Sequence, residues 1–287
     1  MNIFKSGEPI DLSEHMLSTY QTLRIVLVVI ALLFPWVLWI GGFYISRQHV
    51  ELQHSISAYY HANEATRTEL AARESARSEG QTRTPVHIDS GRGVMRNWFV
   101  GVLFAISALL AVYKGFRPAE DLALNLAAIF ASLVALFPSQ WVDDPDPAFS
   151  FHGTFAVLFF LCIAYVCIFC ASATLSLVRD ENRRAHYRRF YKAVGWTMVA
   201  SPVLAAVLNQ FVGGIAYVFF LEAVGVYAFA AYWLVKTREI RETKADQKAA
   251  NGEIELAAGQ GASDALRELP VTQVDDAEFV DDVVNVQ

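Results

Sequence analysis

Long apolar stretches alternate with polar segments between residues 20 and 240, and this pattern predicts helices that cross a membrane. About 20 apolar residues, rising 1.5 Å each, cross a hydrocarbon core of about 30 Å. Six stretches reach or approach this length, and the shorter ones cross the core only together with flanking residues. The predicted spans are approximately Ile25–Ile45, Trp98–Tyr113, Leu122–Phe137, Phe151–Val178, Ala193–Val212 and Ile215–Val235.

The polar segments divide the chain into three parts. Residues 1–21 mix apolar and charged positions and predict a cytoplasmic or interfacial segment. Residues 22–242 form the membrane domain, in which residues 46–96 are an outer loop that is flexible in part. Residues 243–287 become acidic, and we expect a disordered tail there. The predicted fold class is all-α, a polytopic integral membrane helix bundle with about six transmembrane helices.

Basic residues are unevenly distributed among the short loops, and this predicts the orientation of the chain. The loop between the fourth and fifth spans carries six Lys or Arg residues, whereas residues 139–150 and 213–214 carry none. The positive-inside rule therefore places both termini in the cytoplasm. The first loop and residues 139–150 then lie together on the outer side.

The share and the position of charged residues indicate which partners to expect. Only 18% of the residues are charged, against about 25% in soluble proteins, which agrees with membrane spans. The acidic excess lies in the C-terminal tail, and the sequence contains no basic domain or nucleic-acid motif. We therefore expect membrane lipids as partners and no nucleic acid.

The first part of the outer loop, up to His61, has the periodicity of a helix. Its polar face carries His54, Ser57 and His61, either as the wet face of an interfacial helix or as part of a site. Its apolar face carries Leu52, Ile56, Tyr59 and Tyr60.

The outer side also gathers an acidic loop, Asp143, Asp144 and Asp146, and His152 at the start of the fourth span. Imidazoles and carboxylates are common zinc ligands, and they also serve as acids and bases beside a hydroxyl nucleophile. Zinc is therefore a candidate cofactor, with His61 and His152 as its candidate ligands. The candidate catalytic residues on this side are Ser57, His61 and Asp143.

Glu222 lies near the middle of the last predicted span. A carboxylate at the bilayer centre costs about 2.5–3.5 kcal/mol even on insertion scales, so it must be protonated, paired or in contact with water. We therefore add Glu222 to the candidate catalytic residues. The alternative is a small transporter or a non-enzymatic structural protein, in which Glu222 is a proton or cation site.

Seven short motifs occur along the membrane domain: Ser55–His61, Arg96–Gly101, Tyr113–Gly115, Val134–Pro138, Phe151–Gly153, Phe220–Glu222 and Trp233–Lys236. With these motifs the chain resembles an uncharacterised family of bacterial multi-pass membrane proteins. The resemblance covers roughly residues 20 to 240 and implies a multi-pass fold in the cell (inner) membrane. It also implies that residues 62–95 are an insertion.

Ser57 and His61 are spaced as Ser-x-x-x-His. This element is similar to one in the superfamily of alkaline ceramidases and progestin and adiponectin receptors. The similarity implies a zinc-dependent hydrolase with a nearby aspartate. Those proteins also carry a later His-x-x-x-His pair and usually seven spans, whereas here Glu222 occupies the last span. The leading hypothesis is a membrane-embedded, hydrolase-like site at the outer face that acts on a lipid or amphiphile.

Overall fold

The computed structural model describes residues 12–44, 50–62, 93–139, 150–211, 217–257 and 265–269. In these ranges the chain is an all-α bundle with one small hairpin, so the predicted fold class is confirmed. The helices are α1 (Leu12–Tyr44), α2 (Val94–Val112), α3 (Pro118–Leu136), α4 (Phe151–Tyr165), α5 (Glu181–Phe211), α6 (Tyr217–Thr243) and α7 (Ala245–Ala250). The shorter elements are 3-10 turns at Ser57–Tyr60 and Ala173–Leu177, a π-helical turn at Val166–Cys170, and strands β1 (Ile254–Ala257) and β2 (Ala265–Glu268).

Five helical segments in the described ranges are long and apolar enough to cross a membrane. The remaining predicted span, 193–212, falls in the second half of α5, whose first half is basic. The helices therefore have the lengths and compositions of a multi-pass membrane protein. The five segments are His15–Tyr44, Val94–Val112, Pro118–Leu136, Phe151–Leu177 and Tyr217–Thr243.

Local sequence rules explain where two of these helices begin. Pro118 starts α3, where its missing N–H is not needed, and Glu120 and Asp121 follow in the first turn. The hydroxyl of Ser150 accepts the Gly153 N–H at 3.1 Å and caps the start of α4. These starts position the connection between α3 and α4, which contributes to the candidate site.

The helices pack as antiparallel neighbours, α2 on α3, α3 on α4 and α5 on α6, and α1 closes the bundle against α6. Gly195 allows α5 to approach the π-helical turn, because a Cβ there would lie 2.6 Å from Cγ1 of Ile168. The bundle has two ends. The loop end carries residues 50–62, 137–139, 150–153 and 217–222, and the tail end carries residues 113–118, 171–181 and α7.

The secondary structure of the loop end differs from the prediction. The expected helix up to His61 is reduced to the 3-10 turn Ser57–Tyr60, and residues 50–53 form no regular element. Ile56 and Tyr59 are nevertheless buried, and the Tyr59 ring packs so closely on α1 that a Cβ at Gly42 would lie 3.1 Å from it. Buried side chains, more than helical hydrogen bonds, therefore hold this segment. The stretch expected to be flexible, residues 63–92, lies outside the described residues.

α6 extends beyond the predicted end of its span, and this changes the environment of Lys236. The sequence places Lys236 in a basic segment after the span, but its side chain is 1% exposed, and that of Glu239 is 0% exposed. Lys236 Nζ donates to Glu239 Oε2 at 3.0 Å, and the Tyr191 hydroxyl donates to the same oxygen at 2.6 Å. A buried ion pair, whose carboxylate also accepts from the Tyr191 hydroxyl, therefore lies at the tail end of the bundle.

The segment after α6 contains regular structure within residues 245–257 and 265–269, where the sequence predicts a disordered tail. α7 follows α6, and β1 pairs antiparallel with β2. Leu266 packs against Ala245 in a small apolar cluster, and Arg24 of α1 pairs with Asp246 at 2.5 Å. Residues 1–11, 258–264 and 270–287 lie outside the described residues, so the remaining predictions for the termini are not addressed.

Candidate functional site

The bundle encloses a cavity of about 340 Å³ that begins at the loop end. The polar side chains among its described lining residues all come from the loop end: His54, Ser55, Ser57, His152 and Glu222. The rest of the wall is apolar. This combination, an apolar volume with polar groups gathered at one point, is typical of a site for a small apolar ligand. Phe34, Leu103, Ala131, Phe160, Pro202 and Phe229 are examples of its apolar wall.

Ser57 and His152 meet at the edge of this cavity. Ser57 Oγ lies 3.0 Å from His152 Nε2, and His152 Nδ1 lies 2.9 Å from the carbonyl oxygen of Phe137. Because a carbonyl oxygen can only accept, Nδ1 carries the proton of the neutral ring, and Nε2 then accepts from the Ser57 hydroxyl. This hydrogen-bond pattern matches a serine nucleophile, its base, and a third group that orients the base.

Two helix ends hold the imidazole in place. Phe137 directly follows α3, where backbone carbonyls lack partners within the helix, and His152 lies in the first turn of α4. His152 is only 4% exposed and stacks against the Phe99 ring, with the centroids 6.0 Å apart. The imidazole therefore has one orientation, fixed by hydrogen bonds at both nitrogens.

Glu222 contacts the backbone of the segment that carries Ser57. Its Oε2 accepts the Ile56 N–H at 2.6 Å, and the Ser57 backbone also interacts with this carboxylate. The Phe219 N–H donates to the His54 carbonyl at 2.8 Å, which satisfies one amide at the start of α6. Glu222 thus lies in the second described turn of α6, nearer the beginning of this helix than its middle, because α6 extends to Thr243.

Glu222 is the one acidic side chain among the described residues at the cavity mouth, and the other polar groups there are neutral. Burial lowers the pKa of His54, so this imidazole is neutral at pH 7. The hydrogen bonds of His152 also fit a neutral ring. Because the described lining residues include no Lys or Arg, the cavity wall offers no cation to an anionic ligand.

His61, which the sequence places on one helix face with Ser57, contacts a different part of the chain. Its Nε2 lies 2.7 Å from the carbonyl oxygen of Ser139. The hydroxyl of Ser139 in turn donates to the Ser57 carbonyl at 3.0 Å. The 3-10 turn Ser57–Tyr60 does not keep α-helical spacing between Ser57 and His61. His61 therefore lies outside the cavity lining and contacts the Ser57 segment through Ser139.

The described residues do not fit a zinc site at His61 and His152. In the described ranges there is no group of three or more His, Cys, Asp or Glu side chains placed to hold a metal. His152 Nδ1 donates to the Phe137 carbonyl and the Nε2 lone pair accepts from the Ser57 hydroxyl, so in this geometry the lone pair is directed at Ser57 and not at a metal. Asp143, with Asp144 and Asp146, lies outside the described residues.

Sequence reasoning selected Ser57, His152 and Glu222, but it missed how they are connected. It proposed His152 as a zinc ligand or as an acid–base partner, and the structure pairs it with Ser57. The orienting group is the backbone oxygen of Phe137, which has no side-chain signature. The buried pair of Lys236 and Glu239 was also missed, although their i, i+3 spacing on a continued α6 would have indicated it.

Comparisons with protein-family models, with curated proteins and with solved structures gave no match.

Proposed function

We propose that this chain is a multi-pass protein of the bacterial cell (inner) membrane that hydrolyses an acyl bond of a lipid or amphiphile, with Ser57 as nucleophile and His152 as general base. The observation that carries the proposal is the hydrogen-bonded series Ser57 Oγ, His152 and Phe137 carbonyl at the edge of an apolar cavity. A neutral imidazole oriented in this way accepts the hydroxyl proton as the oxygen attacks.

The steps balance within these residues and water. Ser57 Oγ attacks the carbonyl carbon, and His152 Nε2 takes the hydroxyl proton. The tetrahedral intermediate collapses, its bond to the leaving oxygen or nitrogen breaks, and His152 gives its proton to the leaving group. A water molecule, deprotonated by the same imidazole, then attacks the acyl-Ser57 ester and releases the carboxylic acid and the free serine.

Glu222 is a positioning residue in this account. Its carboxylate accepts the Ile56 N–H and interacts with the Ser57 backbone, so it fixes the nucleophile relative to His152. His61 acts similarly but less directly, through Ser139. The proposal gives no role to zinc.

The charge distribution supports an orientation with the loop end outside and both termini in the cytoplasm. The first half of α5 exposes several basic side chains at the tail end, and the end of α6 adds two more. Basic segments next to short loops favour the cytoplasmic side. These exposed residues are Arg183, Arg188, Arg189, Lys192, Arg238 and Arg241.

The test is hydrolysis of a lipid ester by the detergent-purified protein. Ser57→Ala should abolish hydrolysis, because it removes the nucleophile, and His152→Ala should lower it by about a hundredfold or more, because it removes the base. The matched controls are Ser18→Ala and His186→Ala, which change exposed side chains outside the cavity lining. Equal hydrolysis by Ser57→Ala and wild type would reject the proposal.

A small transporter that uses Glu222 as a proton or cation site is the alternative. One observation supports this alternative: Glu222 is the one acidic residue among the described residues that line the cavity. The apolar wall beyond the loop end argues against a path for ions, because it offers them no ligands. Proton-linked flux in liposomes that is lost in Glu222→Gln would favour this alternative.

A further inference from the structure

The cavity continues well below the loop end, along the helix axes. On α4 its described lining runs from His152 to Phe160, and on α6 from Val218 to Phe229. These intervals are eight and eleven residues, or about 12 and 17 Å at 1.5 Å per residue. The lining therefore extends over about two turns of α4 and three turns of α6.

The deep part of the cavity is wholly apolar and has a closed lower end. Below the loop end, its described lining consists of aliphatic, aromatic and proline side chains. Ala31 and Phe229 at its lower end are 0% and 2% exposed, so buried side chains close it there. A polar ligand or an ion gains nothing in this volume, whereas a hydrocarbon chain loses contact with water over its length.

One wall of the cavity reaches the outer surface of the bundle. Val157 lines the cavity and is 38% exposed, which places an edge of the cavity on the membrane-facing side of α4. Pro202 of α5 also lines the cavity, and a proline inside a helix removes a backbone hydrogen bond and bends the helix. The edge at α4 gives a hydrocarbon chain access to the cavity from the bilayer.

We propose that the cavity is an acyl-chain site that takes one medium-length chain, with its ester or amide carbonyl at Ser57. This inference rests on the proposed function and names its substrate class. The volume of about 340 Å³ lies at the lower end of the roughly 300–1,000 Å³ range of ligand sites, so it suits one chain and not two. An extended octanoyl chain fits within this depth, whereas an acetyl group leaves the cavity largely empty and a palmitoyl chain exceeds it.

Ala156 offers the sharpest test, because it lines the cavity one helical turn below His152. Ala156→Phe should fill the path of the chain at this level. The measured quantity is the ratio of kcat/KM for an octanoyl ester to that for an acetyl ester. Wild type should prefer octanoyl to both acetyl and palmitoyl, and Ala156→Phe should lower the ratio about tenfold or more, the equivalent of about two buried methylenes. Leu161→Phe, on the membrane-facing side of the same helix, is the control and should keep the wild-type ratio.

A binding measurement separates this proposal from the proposed function. A methyl octanoate that carries a photoreactive diazirine near its chain end should crosslink to cavity residues of α4 or α6 in Ser57→Ala, which cannot turn over. Crosslinking that Ala156→Phe abolishes, in a protein that cleaves no ester, would keep the acyl-chain site and reject the hydrolase. Crosslinking confined to membrane-facing residues, or an unchanged octanoyl preference in a folded Ala156→Phe, would overturn the acyl-chain site.

Discussion

Ser57 Oγ lies 3.0 Å from His152 Nε2, although 95 positions separate the two residues in the chain. The contact joins the segment after α1 to the first turn of α4 and depends on the orientation that the Phe137 carbonyl gives the imidazole. The nucleophile and its base therefore meet only when α1, α3 and α4 have packed. Correct assembly of the loop end is a condition for activity in this account.

His152 and His61 should differ in their effects on activity. His152→Ala removes the base and should lower kcat/KM for an octanoyl ester by about 10²–10⁴-fold. His61→Ala removes a contact with the Ser139 carbonyl, away from the reacting hydroxyl, and should cost less than about tenfold. Steady-state kinetics on purified variants of equal melting temperature makes the comparison. An equal loss in the two variants would restore His61 as a catalytic residue.

Glu222 should act on activity through the backbone of Ile56 and Ser57. Glu222→Gln keeps an oxygen acceptor and should retain most of the activity. Glu222→Leu leaves a buried N–H without a partner, at a cost of about 1–3 kcal/mol, and should lower Tm by several degrees together with kcat. Glu51→Gln is the control, because Glu51 is exposed on the same segment. A Gln variant as inactive as the Leu variant would show that the charge, not the acceptor, is needed.

The buried ion pair at the tail end should be sensitive to the loss of one partner. Lys236→Met leaves the Glu239 carboxylate buried without its cation and should reduce the free energy of unfolding by about 3–5 kcal/mol. The double variant Lys236→Met with Glu239→Leu should recover much of this loss. Denaturant titration in detergent measures both. A single variant as stable as wild type would mean that water reaches this pair.

The hairpin at the tail end should depend on Leu266. Its side chain is 6% exposed, so Leu266→Asp buries a charge or releases the hairpin from the bundle. Released strands should be cleaved faster by trypsin after Lys248 and Arg267. Leu269→Asp is the matched control, because Leu269 is 38% exposed. Equal cleavage rates in the two variants would argue against a docked hairpin.

The membrane bundle could be predicted because its signal is long and repeated. Twenty-residue apolar stretches have few competing interpretations, and the described helices follow them closely. The predicted span ended too early, at Val235, because charged residues such as Lys236 and Glu239 are usually exposed to solvent. Only the neighbouring helices supply the partners, such as Tyr191, that make their burial possible.

The candidate site was harder to predict than the fold. The sequence indicated that Ser57 and His152 lie on the same side, because both adjoin the same ends of spans. It suggested Ser57 with His61, since helical spacing brings i and i+4 together. The segment instead forms a single 3-10 turn fixed by the burial of Ile56 and Tyr59, which no local propensity indicates. The backbone contacts of Phe137 and Glu222 depend on tertiary packing and leave no pattern in the sequence.

The most direct test of the central claim is to identify the residue that an octyl fluorophosphonate modifies. This reagent forms a stable phosphonyl ester with an activated serine hydroxyl and loses fluoride. Peptide mass spectrometry of the labelled protein should find the adduct on Ser57 in wild type and no adduct in His152→Ala. An unmodified Ser57 in the folded wild-type protein, or equal labelling without His152, would contradict the account.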